Sequence, residues 1–200
     1  MVEIVLSRSF VEGGFISGII AGVLMFIGAG YALIFGGSPL LRAGWVLSNL
    51  MLALAFALSI FSWTALYAVH GGRCGAAGGF GYFLLVLGSA LSAGACMAEA
   101  AVGRILLPLQ SFSLLRPNEL LVSSLAVAAI TLFALGAFLF GMFSGGRLLA
   151  GQAVIAASGL FMLLGVITGL RYWTQIDLFL VVFAVGQVWL SAETAASPDC

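Results

Sequence analysis

The sequence predicts an all-α, polytopic integral membrane protein of about six transmembrane helices with short loops. Three observations carry this reading. Six long apolar stretches recur along the 200 residues, each near the roughly 20 residues that a helix needs to cross a hydrocarbon core about 30 Å thick. Only 7% of the residues are charged, against roughly 25% in a soluble domain, which is too few to cover a water-facing surface. No stretch is long or polar enough to form a separate soluble domain, so residues 1–200 read as a single transmembrane domain.

The first helix is expected at Phe15–Phe35, an apolar run too long for the core of a cleavable signal. Gly36-Gly37-Ser38-Pro39 then reads as a turn, and the second helix as Gly44–Val69. The glycine-rich stretch His70 to Gly75 leads into the third helix, Gly79–Gly103. The longest connection follows, Arg104 to Glu119. It mixes Pro108 and Pro117 with Leu106, Leu107, Phe112 and Leu115, which suggests a segment lying in the membrane interface. Leu120–Phe143 forms the fourth helix, and Ser144-Gly145-Gly146-Arg147 is a turn tight enough to force a hairpin with the fifth, Leu149–Leu170. Tyr172 to Gln175 connects to the sixth, Ile176–Ser191. No proline falls inside these ranges.

This layout puts Trp45, Tyr172 and Trp173 at one membrane face and Tyr67, Tyr82 and Trp189 at the other, as interfacial belts require. Arg8, Arg73 and Arg147 share a face with the termini, and Arg42, Arg104, Arg116 and Arg171 lie opposite. Three against four leaves the orientation open under the positive-inside rule. A weak internal echo links the two halves. Gly36-Gly37, Leu40-Leu41 and Gly44 resemble in order Gly145-Gly146, Leu148-Leu149 and Gly151, consistent with a three-plus-three helix repeat over about 15–103 and 120–191.

Composition narrows the chemistry. Seven Arg balance seven acids, leaving no basic excess for nucleic acid. Lys is absent, which removes Schiff-base chemistry. Cys74, Cys96 and Cys200 lack metal-type spacing; Cys96 reads as a small packing residue, and Cys74 and Cys200 share a face where an oxidising compartment would permit a disulfide. One histidine cannot supply bis-imidazole haem ligation or a three-ligand catalytic zinc. No metal or cofactor is expected, although apolar grooves accept lipid or pigment without signature residues.

The candidate sites are few. Glu99, near the end of the third helix, is a carboxylate at membrane depth, costly unless paired or functional. Arg104 is its nearest partner in sequence. Asp177 opens the sixth helix, where the helix dipole favours an acid, and Arg171 faces it across the turn. Glu99, Arg104, Arg171 and Asp177 fall on one side of the membrane and form either an interfacial ion-pair network or a proton- or solute-handling gate. His70 is a candidate ligand or pH sensor in a glycine-rich mouth. Ser48, Ala55, Ser59 and Ser62 share a face of the second helix, with Asn49 beside them. Their hydroxyls line a polar path or bond back to carbonyls one turn earlier. Gln152 and Gln187 read as interhelical glue. Gly18/Gly22, Gly141/Gly145 and Gly165/Gly169 recur at steps of four, as do Gly88, Ser92 and Cys96. Such rows let helix backbones approach closely, within the chain or against another subunit.

The expectation that follows is a structural or accessory subunit of a larger membrane complex, contributing packing surfaces rather than catalysis. Its partners would be membrane lipids and other membrane subunits, or further copies of itself. The alternative is a small-solute channel or transporter, using the serine face and Glu99. An intramembrane enzyme would have only the His70–Cys74 neighbourhood to offer a nucleophile and base.

Overall fold

The computed structural model describes residues 8–35, 42–70, 74–105, 112–144, 150–168 and 173–196, with side chains over 8–34, 44–70, 74–101, 124–144, 150–168 and 176–196. Six helices follow one another: α1 (Arg8–Phe35), α2 (Arg42–His70), α3 (Gly75–Ile105), α4 (Phe112–Phe143), α5 (Ala150–Ile167) and α6 (Trp173–Ala196). All six are long and apolar enough to cross a membrane, the shortest span having 18 residues. At 1.5 Å per residue that reaches about 27 Å. The chain is a multi-pass membrane protein by this criterion.

The helices outrun their apolar cores because backbone groups near hydrocarbon must be satisfied within the helix. α1 begins seven residues before its apolar run, and Arg8 Nε donates to Glu12 Oε1 at 2.8 Å across its first turns. α3 begins inside the glycine-rich stretch. Gly75 takes φ 59°, a left-handed value that favours glycine, and the Gly78 amide donates to the Cys74 carbonyl. Two expected helix starts move. α4 starts at Phe112 rather than Leu120 and carries Pro117 within its opening turns. Asp177 does not open its helix: α6 starts at Trp173, which leaves the acid one turn inside and beyond the strongest reach of the dipole.

Each helix packs antiparallel on the next, and α6 returns to α1, so the six close into a ring. Small residues set these contacts. Gly18 touches Ser62 of α2 and Ser191 of α6, and a Cβ on Gly22 would stand 2.9 Å from the Ala184 carbonyl of α6. Gly88 abuts the Phe133 backbone of α4, and a Cβ on Gly141 would stand 2.8 Å from Ala156 Cβ of α5. Gly165 is buried in α5. Gly145 and Gly169 lie outside the described residues. The glycine rows that are described therefore face helices of the same chain. Gly30 and Gly94 have open space where a side chain would be.

The middle of the ring is filled, chiefly by the even-numbered helices. These three run in the same direction, and each buries two large side chains seven residues apart: Phe56 and Trp63, Phe133 and Phe140, Phe183 and Leu190. A spacing of seven returns to nearly the same side of a helix after two turns. Phe133 meets Phe56 edge-on at 5.2 Å and Phe183 at 4.8 Å between ring centres. Trp63 meets Phe140 at 6.1 Å and Phe183 at 5.8 Å. Such edge-to-face contacts align ring edges with ring faces and stabilise by roughly 0.5–1.5 kcal/mol each beyond burial. Between the two aromatic levels, Gln187 Nε2 donates to Ser59 Oγ at 2.9 Å, and Ser59 Oγ donates to the Ala55 carbonyl at 2.8 Å. The outer surface carries Ile16, Ile20, Phe61, Phe83, Phe161 and Leu178, as contact with lipid requires.

Candidate functional site

At the end of the ring where α1 and α3 finish and α2, α4 and α6 begin, a cavity of about 80 Å³ opens between five helices. That is room for several waters or a small organic molecule. α3 presents Ser92, Cys96 and Glu99 to it, a run of three- and four-residue steps along one helix face. α2 presents Trp45, Ser48, Asn49 and Phe56 in the same way, and α6 presents Asp177 and Leu180. Phe56 forms part of the floor and belongs to the first aromatic level. The cavity therefore ends where the filled axis starts.

The polar groups of this wall divide by what they already bond. Ser48 Oγ donates to the Gly28 carbonyl of α1 at 2.8 Å, and Asn49 Nδ2 donates to the Trp45 carbonyl at 3.1 Å. Ser92 is only 5% exposed, and its hydroxyl has no hydrogen-bond partner among the described residues. Glu99 and Asp177 are half-buried and line the same cavity from α3 and α6. Among the described residues the ion pair present is Arg8–Glu12, far from this cavity on the opposite membrane face. The Arg104 side chain and all of Arg171 lie outside the described residues. Of the four residues expected as a network, the structure thus brings Glu99 and Asp177 to a common cavity.

His70 lies at the other end of the ring. It closes α2, is buried, and bonds through Nδ1 to the Leu66 carbonyl at 3.0 Å. A carbonyl oxygen only accepts, so Nδ1 carries the proton in that bond. Cys74 Sγ donates to the carbonyls of His70 at 3.2 Å and of Ser144 at 3.4 Å, tying the end of α2 to the end of α4. Burial pushes the Cys74 thiol above its ordinary range, so it persists as the poorly nucleophilic thiol. Imidazole and thiol each serve backbone carbonyls and do not form a nucleophile–base pair with each other. Cys200 lies outside the described residues.

The serine face of α2 splits three ways. Ser48 bonds across to α1, Ser59 bonds back one turn and across to Gln187, and the buried Ser62 hydroxyl has no partner among the described residues. Ser92, read from sequence as a packing residue, stands on the cavity wall. Trp45 and Phe56 were not legible as site residues. The signal that finds Phe56 is the repeat of large residues at intervals of seven in the second, fourth and sixth helices; Trp45, eleven residues before it, lies outside that repeat. Comparison with protein-family models, with curated proteins and with solved structures finds no match to this chain.

Proposed function

We propose that the protein is a small-solute transporter whose binding site is the cavity bounded by Glu99, Asp177 and Ser92. The observation that supports it most is the position of these groups. Two carboxylates, each in the end turn of a membrane span, line a common cavity, and acids within spans are candidates for solute or ion pathways. The pocket is mostly apolar with a few convergent polar groups, the usual make-up of a small-molecule site. Beneath it the Phe56–Phe133–Phe183 level closes the axis, and polar groups resume beyond, at Ser59 and Gln187. A site closed on one side by packed rings suits alternating access rather than an open pore. The test is flux of small charged and neutral solutes into liposomes carrying the purified protein. The paired change Glu99→Gln and Asp177→Asn is expected to lower flux at least tenfold while elution in detergent and helical content stay as in the parent. Unaltered flux would remove the cavity from the mechanism.

The accessory-subunit reading has a different support. A shallow apolar groove of about 290 Å³ runs along the outside of α1 and α6, lined by Val23, Phe26, Val185, Val188 and Trp189. A transmembrane helix of another subunit would fit there. Native mass spectrometry of the particle extracted from its own membrane separates the two readings. A fixed stoichiometry with other proteins favours the subunit, and a lone chain or homo-oligomer favours the transporter.

A further inference from the structure

We infer that the cavity takes a small organic ammonium ion, an amine head with a short hydrocarbon body. This rests on the proposed transport site and names the class of its solute. The charge is the first argument. When ionised, Glu99 and Asp177 supply negative charge, and no basic side chain lines the cavity among the described residues. In a site flanked by lipid, two carboxylates strongly favour a positive guest over a neutral or negative one.

Hydrogen-bonding capacity points the same way. The Ser48 hydroxyl and the Asn49 amide already donate, to Gly28 and Trp45. What Ser48 has left is an acceptor, its hydroxyl oxygen, and Asn49 keeps its amide oxygen and a second N–H. The two carboxylates are acceptors as well, and the buried Ser92 hydroxyl is unpartnered among the described residues. Acceptors thus outnumber donors on this wall, which favours a guest rich in N–H donors.

The rest of the lining decides between an ammonium and a metal ion. Among the described residues no three His, Cys, Asp or Glu side chains are grouped to hold one metal. Hard cations such as calcium surround themselves with six or more oxygens. Here most of the wall is hydrocarbon and aromatic: Leu52, Ile130 and Leu180, with Trp45 and Phe56. Aromatic faces attract a desolvated ammonium, and aliphatic walls hold its carbon chain.

Purified full-length protein in a mild non-ionic detergent would be titrated at constant ionic strength with propylammonium, tetramethylammonium, sodium, propionate and propanol, with the unfolding midpoint as readout. Saturable stabilisation by propylammonium is expected, with none from sodium, propionate or propanol. Ser92→Ala is expected to weaken the propylammonium response severalfold, and the paired Glu99→Gln and Asp177→Asn change to weaken it at least tenfold. Equal stabilisation by propanol or by sodium overturns the inference, as does a propylammonium response that persists unchanged in the variants. Should the paired variant fail to fold, Ser92→Ala still decides, as does tetramethylammonium, which has no N–H and is expected to stabilise far less than propylammonium; equal stabilisation overturns the inference. Saturable ammonium binding without flux sinks the transport reading and leaves this one standing. Flux of a neutral solute through Glu99 and Asp177, with no ammonium response, does the reverse.

Discussion

Odd and even helices of this ring do different work. α1, α3 and α5 carry most of the glycines at close contacts, among them Gly14, Gly18, Gly22, Gly81, Gly88 and Gly159. α2, α4 and α6 carry the largest buried side chains, Trp63, Phe56, Phe133, Phe140 and Phe183. The odd helices act as thin mortar between neighbours, and the even helices reach inward to fill the space that a ring of six leaves at its centre. In lipid no water drives helices together, so backbone approach and interior contact must each be built from side-chain shape. Division of that task by helix parity lets one end of the axis stay open as a cavity while the rest is filled.

The most damaging way to break this division is bulk in the mortar. Gly88→Leu sets a side chain where the Phe133 backbone stands; even its Cβ would lie 2.5 Å from Phe133 Cα. Backbone cannot swing aside as a side chain can, so α3 and α4 must separate, at a cost expected above about 4 kcal/mol. The check is yield and monodispersity in detergent, with loss of the folded species expected. Next comes the axis. Phe133→Ala removes the ring that contacts both Phe56 and Phe183, at a cost of roughly 3–5 kcal/mol. The variant is expected to insert, to melt earlier, and to add to liposomes a non-saturable leak of small solutes that the parent protein lacks. A variant that melts earlier without leaking would mean that the second level, Trp63 with Phe140, closes the axis alone. The smallest effect is expected at Gly94, an α3 glycine with open space around it. Gly94→Ala should leave assembly unchanged and raise stability by up to about 1 kcal/mol through helix propensity. Destabilisation there, read as a lower unfolding midpoint, would show that α3 contacts something on its outer face.

Much of the fold was legible because hydrophobic length is a strong signal. The six cores fell where the apolar runs fell, and only the ends moved, since Arg8, Glu12 and Trp173 continue helices that hydropathy alone would stop. The glycine rows were legible as sites of close approach, but a step of four carries no address. Whether Gly18 meets Ser191 of its own chain or another subunit depends on how α1 is rotated. Glu99 and Asp177 could be assigned to one membrane face by counting helices. That they share a cavity could not, and neither could the places of Ser92, Asn49 and Trp45 on its wall, which follow from the rotation of α2 and α3. The paired large residues at intervals of seven acquire meaning only once three helices are known to run parallel around one axis.

The closed ring also sets apart one seam from the other five. Five of its six seams join helices adjacent in sequence, and those can form hairpin by hairpin as the chain enters the membrane. The sixth, where Gly18 and Gly22 of α1 receive Ser191, Val188 and Ala184 of α6, joins the first helix to the last. Without α6 the other five helices can form only an arc, open sideways where Phe183 and Leu190 stand in the closed ring. The α1–α6 seam is thus the one closed by helices farthest apart in sequence.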